Sequence, residues 1–145
     1  MTRLLDINVL MALFDPRHEF HDAAHRWFSA TKADGWASCP LTINGFVRIL
    51  SHPAHPAALG TVEETAAKLA EFSGATPHSF WPDTLSLHGS RGFRLGLIPS
   101  SRHLTDIYLL GMAVHRKGIF ATFDRRVPVG AVVGGAEAIE IIPEV

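Results

Sequence analysis

The chain has 145 residues, of which 47% are hydrophobic and 19% are charged, and its formal net charge is −1. This length fits one domain over residues 1–145. The single cysteine, Cys39, excludes an intrachain disulfide. No run of residues approaches the roughly 18 apolar residues that a membrane span needs. Because a protein that binds nucleic acid through bulk charge is usually basic, any such contact must come from a local patch or from metal ions.

The first half of the chain alternates short apolar runs with helical patterns. Residues 4–6 predict a buried strand ending in an acid, and no long apolar region precedes it, so we expect a cytoplasmic protein without a signal peptide. Asn8 and Thr42 are favourable N-cap types, Thr61 opens a capping-box pattern, and residues 36–38 predict another strand. Apolar residues at helical spacing predict helices over 8–14, 21–33, 42–50 and 61–72.

The second half continues this alternation. Strands are predicted at 79–81, 119–122 and 139–142, a short helix at 85–94, and a long helix at 102–117 that Gly118 ends. Because strands alternate with helices, we expect an α/β fold with a mainly parallel central sheet flanked by helices. In open sheets of this kind, ligands bind outside the carboxyl ends of the strands.

Three acidic residues are expected at that carboxyl edge. Asp6 and Asp124 each follow an apolar strand, and Asp106 lies near the start of the long helix. Each position also has a purely structural explanation, because Asp6 can cap the next helix, Asp106 can interact with the helix dipole, and Asp124 can begin a turn. Position alone does not distinguish these explanations from a functional site.

Converging carboxylates repel one another and therefore require a compensating cation. Mg²⁺ is favoured because it prefers oxygen ligands at ~2.0–2.1 Å and keeps several waters and phosphate oxygens in its shell. Such a site suits phosphodiester hydrolysis, since the metal lowers the pKa of a water and neutralises charge in the transition state. A phosphatase of the aspartyl-phosphate type is disfavoured, because the second acid that it needs is replaced by Asn8.

Three segments around these acids carry a family pattern. Residues 4–10 (LLDINVL) contain a strand, an acid and a helix start, residues 103–109 (HLTDIYL) begin the helix that bears Asp106, and residues 121–125 (ATFDR) contain a strand-end Thr-x-Asp signature. In these segments, and in residues 41–50 (LTINGFVRIL), the chain resembles the PIN-domain nucleases and, within them, the VapC-type toxins of bacterial toxin–antitoxin pairs. The order and spacing of the segments extend the resemblance over nearly the whole chain.

This resemblance implies a three-layer PIN-like fold and a magnesium-dependent endoribonuclease that accepts Mn²⁺ as a substitute metal. It implies that Asp6 and Asp106 bind the metal and that Asp124 completes the catalytic cluster. The hydroxyl groups of Thr105 and Thr122 are expected to steady the neighbouring carboxylates. The resemblance also implies an RNA substrate, a homodimer and inhibition by a cognate VapB antitoxin.

The chain departs from the family on the helix near Thr42, where the family usually has a glutamate. Asn44 or Gly45 takes that position, and no acid occurs between Asp34 and Glu63. An asparagine carbonyl can bind or orient a hydrated Mg²⁺ but adds no charge, so we expect weaker metal binding. An alternative function is therefore a catalytically weak or inactive PIN-like domain that binds RNA or an antitoxin.

Basic side chains near these segments are candidates for RNA contact. Arg91, Arg94 and Arg125, together with Arg102 and Arg126, are expected to form a basic rim that guides RNA phosphates towards the metal. The alternatives are ordinary surface charge, or pairing of some arginines with the carboxylates when no metal is bound. His21 and His25 are interpreted as surface or helix-packing residues, because no third and fourth zinc ligands accompany them.

Overall fold

The computed structural model describes the whole chain, Met1–Val145, and a five-stranded sheet forms its centre. The strands are β1 (Arg3–Leu5), β2 (Trp36–Ser38), β3 (His78–Phe80), β4 (Ile119–Thr122) and β5 (Ile139–Ile141). Every neighbouring pair of strands is parallel, and the order across the sheet is β3-β2-β1-β4-β5. The predicted α/β fold is confirmed, and the sheet is parallel throughout rather than mainly so.

Five α-helices surround the sheet. They are α1 (Ile7–Phe14), α2 (His21–Thr31), α3 (Pro40–Leu50), α4 (Val62–Ala75) and α5 (Leu104–His115). None of them combines the length and the apolar character that crossing a membrane requires. The capping box predicted at the start of α4 is confirmed, because Thr61 and Glu64 each accept a hydrogen bond from the backbone N–H of the other.

Two hydrophobic cores lie on opposite faces of the sheet. Successive side chains of a strand point to opposite faces, so Leu5 packs with residues of α1 to α4 in one core while Leu4 packs with residues of α5 in the other. Ala121 and Phe120 of β4 divide between the two cores in the same way. Strands buried on both faces explain the continuous apolar runs of the sequence and confirm the three-layer arrangement.

Two helices begin earlier than predicted. The N-cap of α1 is Asp6, not Asn8, because Asp6 is the single residue between β1 and the helix. In α3, Pro40 occupies the first turn and Cys39 is the N-cap, which places Thr42 at the third helical position. The Thr42 hydroxyl accepts the Cys39 backbone N–H at 3.0 Å, so it still supports the start of the helix.

The short helix predicted at 85–94 is wrong, because this segment forms turns and irregular loop. The hydroxyls of Ser86 and Ser90 accept the backbone N–H groups of His88 and Gly92, each at 3.1 Å. Serine bonds of this local kind compete with helical hydrogen bonding. Gly89 also has a φ of +76°, which a right-handed helix does not allow.

The turn between α5 and β4 brings the chain close to its own N-terminus. Lys117 has a φ of 56°, and the Gly118 N–H reaches back to the Ala113 carbonyl at 2.8 Å, which is the pattern of a Schellman motif. A Cβ atom on Gly118 would lie 2.6 Å from the Thr2 carbonyl oxygen and 2.7 Å from a ring carbon of Trp81. Glycine is therefore required at 118 for close packing.

Replacing Gly118 is expected to destabilise the fold. Gly118→Ala forces Thr2 and Trp81 to shift, which should lower the free energy of unfolding by about 1–3 kcal/mol. The matched control is Gly74→Ala in α4, where an added Cβ meets nothing within 4 Å, so the free energy of unfolding should stay the same or rise slightly. Urea denaturation measures both values, and equal stability of the two variants would contradict this account of the turn.

Candidate active site

The three acids expected to form a site lie on elements that meet at the carboxyl edge of the sheet. Asp6 directly follows β1, and its N–H bonds the Ala121 carbonyl of β4 at 3.0 Å. Asp124 lies two residues after the end of β4, and Asp106 lies in the first turn of α5. The fold therefore brings residues from three distant parts of the sequence towards the two central strands.

Asp6 is the most deeply buried of the three acids, with an exposed fraction of 6%. Its Oδ1 accepts the Ile7 N–H at 2.7 Å and caps α1, while its Oδ2 accepts the Thr122 hydroxyl at 2.6 Å. The pKa of Asp6 is raised to about 7, first by burial and also by the negative charges of Asp106 and Asp124. The two hydrogen bonds oppose this shift of the pKa because they favour the ionised form.

Asp106 is half-buried and forms no hydrogen bond. Burial raises its pKa first, and the charge of Asp124 raises it further, whereas His103 acts in the opposite direction. The N-terminal turn of α5 is a favourable place for a negative charge. The pKa of Asp106 is nevertheless raised, so the start of the helix does not fully compensate this carboxylate.

Asp124 forms the turn that was one of its predicted roles. Its Oδ1 accepts the Arg126 backbone N–H at 2.8 Å, and its own N–H bonds the Thr122 hydroxyl at 3.1 Å. The Arg126 guanidinium approaches the same oxygen at 3.5 Å, but this side chain is 86% exposed. An ion pair with such an exposed partner contributes little, so the negative charge of Asp124 remains largely uncompensated.

Asn8, two residues after Asp6, contributes a polar atom whose role in the site the sequence analysis did not predict. Its Oδ1 is buried and has no hydrogen-bond partner, and leaving a polar atom in this state is costly. Asn8 and Asp124 line the same cleft, whose volume is about 490 Å³. The spacing Asp-x-Asn after a buried strand is the signal that points to Asn8, although its burial depends on tertiary packing.

These side chains fit a hydrated divalent cation better than a metal held entirely by protein. No three His, Cys, Asp or Glu side chains form a ready-made metal cage. The available donors are carboxylate oxygens with raised pKa values and the unpartnered Oδ1 of Asn8. Mg²⁺ prefers oxygen ligands and usually takes only one or two carboxylates while keeping several waters, so this donor set matches Mg²⁺ or Mn²⁺.

Two other residues expected to support the acids make no such contact. Thr105 is exposed and forms no hydrogen bond with Asp6 or Asp106, unlike Thr122. Asn44 is also exposed and unbonded, and Gly45 packs so closely against Ile7 that a larger side chain would displace it. The first turn of α3 contains no acid, so this helix adds no carboxylate to those of Asp6, Asp106 and Asp124.

The arginines of the expected basic rim have different surroundings. Arg125 is exposed and lines the cleft with Asp124, and the neighbouring Arg126 lines it too. Arg94 bonds the Gly130 carbonyl at 2.9 Å instead, and Arg91 is exposed without a partner. Of the predicted arginines, Arg125 and Arg126 share the cleft with an acid.

The histidine pair of α2 has a packing role, as predicted. His21 Nδ1 lies 2.7 Å from the Ala12 carbonyl oxygen, and His25 Nε2 lies 2.8 Å from the Leu13 carbonyl oxygen. Each ring nitrogen donates its hydrogen to a carbonyl in the last turn of α1, where intrahelical partners are missing. These donor nitrogens are therefore occupied in joining α1 to α2.

Comparison with known proteins reveals relatives over nearly the whole chain. Ribonuclease VapC44 of Mycobacterium tuberculosis is 39% identical over 137 residues, which are 94% of this chain and 96% of the relative. Ribonuclease VapC39 of the same species is 39% identical over 140 residues, which are 96% of this chain and 100% of the relative. Ribonuclease VapC29, also from this species, is 37% identical over 124 residues, or 86% of each chain. No protein-family model matches the chain.

The buried charge of Asp6 is expected to make metal-free stability depend on pH. The folded protein keeps the Asp6 proton up to about pH 7, whereas the unfolded chain releases it near pH 3.8. The contribution of Asp6 to the free energy of unfolding therefore falls as pH rises between these two values and is constant above pH 7. Asp6→Asn keeps an N-cap residue but removes the charge. The variant should therefore gain stability relative to the wild type as pH rises from about 4 to 8, by on the order of 4 kcal/mol.

Urea denaturation in EDTA across this pH range measures the difference between the two proteins. Glu71→Gln is the matched control because Glu71 is exposed on α4 and forms no hydrogen bond or ion pair. Its stability should follow that of the wild type at every pH. A difference in stability between Asp6→Asn and the wild type that is the same at pH 4 and pH 8 would contradict the raised pKa of the buried carboxyl group.

Removing the Thr122 hydroxyl is expected to raise the pKa of Asp6 above about 7. The bond from Thr122 favours the ionised carboxylate, and Thr122→Val keeps nearly the same side-chain volume without the donor. Thr105→Val is the control, since Thr105 has no bond to an acid. Carboxyl ¹³C NMR titration measures the pKa, and an unchanged value in Thr122→Val would show that this hydrogen bond has no influence on ionisation.

Proposed function

Because the chain belongs to the VapC ribonuclease family, we propose that it is a magnesium-dependent endoribonuclease and the toxin of a type II toxin–antitoxin system. It hydrolyses RNA phosphodiester bonds with water as the nucleophile. The observation that carries this proposal is the set of three acids at one sheet edge, two of which have pKa values raised by burial and by neighbouring negative charge. Uncompensated carboxylates of this kind are suited to a divalent cation.

The residues of the site have separate roles in this proposal. Asp6 and Asp106 hold the metal, Asp124 completes the acidic cluster, and the Asn8 Oδ1 is a further oxygen donor. Thr122 and the Ile7 N–H fix both oxygens of Asp6, so its carboxylate does not need to reorient when a substrate binds. When bound, Mg²⁺ supplies Lewis acidity towards the phosphodiester and offsets charge in the transition state.

The proposed partners follow from family membership. The RNA substrate approaches the acids through the cleft that Arg125 and Arg126 line, where the two guanidinium groups attract its phosphates. A cognate VapB antitoxin inhibits the enzyme, and the chain forms a homodimer.

A second candidate function is an RNA-binding or antitoxin-binding domain with weak or no nuclease activity. The observation that favours it is the first turn of α3, which contains no acid and presents only the exposed amide of Asn44. A neutral ligand at this place leaves less negative charge to attract Mg²⁺. The two candidates differ in one measurable property, since only the first predicts RNA cleavage that EDTA abolishes.

Removing one of the acids is expected to abolish cleavage. Because loss of a residue that merely supports a metal ligand costs about 10–100-fold in affinity or activity, loss of a ligand itself should cost at least about 100-fold. Asp6→Asn and Asp106→Asn should therefore reduce cleavage of a defined RNA panel by this factor or more in the presence of Mg²⁺. Glu71→Gln removes one exposed carboxylate of α4 and should leave cleavage unchanged.

EDTA should abolish wild-type cleavage, and added Mg²⁺ or Mn²⁺ should restore it. Wild-type activity that persists in EDTA, or an Asp6→Asn variant that cleaves at the wild-type rate, would overturn the nuclease assignment. RNA binding without any cleavage would instead favour the second candidate function. The circular dichroism spectrum of each variant confirms that the fold is retained.

A further inference from the structure

The cleft beside Asp124 has an apolar wall that the proposed chemistry does not use. Phe20 and Phe123 line it, and their rings are stacked with centroids 4.8 Å apart and an interplanar angle of 27°. Phe123 lies between Thr122 and Asp124 and is 5% exposed, whereas Phe20 keeps more of its surface accessible. The accessible aromatic surface of this cleft is therefore contributed mainly by Phe20, from the loop between α1 and α2.

The other side chains of the cleft are charged. Arg125 is exposed and has no carboxylate partner, and Arg126 makes only the 3.5 Å contact with Asp124. Glu144 adds a carboxylate from the segment that follows β5. The cleft thus combines an aromatic surface with two arginines and a separate acceptor in about 490 Å³, a volume within the range of ~300–1,000 Å³ typical of small-ligand sites.

We propose that this cleft is a nucleotide subsite in which the base of single-stranded RNA packs against Phe20 and its phosphate contacts Arg125. The inference rests on the proposed function, because it identifies how RNA is held beside the acids. Unpaired bases commonly stack on aromatic side chains, while arginine contacts the backbone. An aromatic surface adjoining arginines, within one cleft that also reaches Asp124, provides both interactions next to the candidate active site.

Glu144 determines how a nucleotide is oriented in this subsite. A carboxylate repels phosphate, but it accepts hydrogen bonds from the amino and ring N–H groups on base edges. The phosphate is therefore expected at Arg125 and Arg126, and the base at Phe20 and Glu144. Phe20 is consequently a binding residue that acts on the affinity for RNA without touching the reacting atoms.

The experiment measures binding by fluorescence anisotropy in EDTA, which prevents metal-dependent cleavage. The probes are a fluorescein-labelled single-stranded RNA hexamer and a chain of six abasic ribose phosphates. Phe20→Leu should weaken hexamer binding about 10-fold, as expected for the loss of one stacked base, and leave abasic binding unchanged. Arg125→Ala should weaken binding of both probes, because both carry phosphates.

Phe80→Leu is the matched control, since Phe80 is 51% exposed on β3 at the far side of the sheet from β4 and β5. It should bind both probes as the wild type does. Phe20→Tyr retains the ring and should retain hexamer affinity, which separates stacking from general damage to the fold; thermal melting of each variant checks this directly.

Three results would overturn the proposed subsite. Phe20→Leu could bind the hexamer as tightly as the wild type does, or its affinity for the abasic chain could fall as much as its affinity for the hexamer. The third such result is a wild-type protein that binds neither probe. The binding measurement needs neither metal nor cleavage. A loss of hexamer binding in Phe20→Leu would therefore support the subsite even if the nuclease proposal failed. Conversely, failure of the subsite leaves the cleavage results for Asp6→Asn and Asp106→Asn unaffected.

Discussion

The buried carboxylate of Asp6, fixed by the Ile7 N–H and the Thr122 hydroxyl, is the interaction on which the rest of the site depends. It begins α1, joins the end of β1 to the end of β4 and supplies the most deeply buried charge of the carboxyl edge. An asparagine would also cap the helix without the cost of burying a charge. The fold therefore accepts a stability cost at this residue, which is typical of positions that serve function.

The charge at the other end of β1 is compensated, unlike those at the carboxyl edge. Arg3 bonds Glu140 at 2.6 Å and Asp34 at 2.9 Å, so this partly buried guanidinium has two carboxylate partners. Asp106 has no hydrogen bond, and the only cationic group in contact with Asp124 is the exposed Arg126 guanidinium at 3.5 Å. Acids without a compensating partner, two of them partly or fully buried, are the physical reason for proposing a cation at this edge.

The sequence predicted the parts of the fold that depend on local pattern. Apolar runs identified β1 and β4 because parallel strands are buried on both faces, and the acids at their ends followed from the same reasoning. The sequence failed at 85–94, where serine side chains and Gly89 form turns within an apparently helical pattern. It also missed the roles of Asn8 and Phe20, because an unpartnered buried oxygen and a stacked aromatic wall arise only from tertiary packing.

The account rests on a cation relieving the charge that Asp6, Asp106 and Asp124 place at one edge. Calorimetric titration of Mg²⁺ near pH 7, in two buffers with different ionisation enthalpies, tests this most directly because it counts the protons released on binding. With the pKa of Asp6 at about 7 in the metal-free protein, binding should release protons at this pH, and Mg²⁺ affinity should increase from pH 6 to pH 8. Mg²⁺ binding that releases no proton and has the same affinity at both pH values would contradict the account.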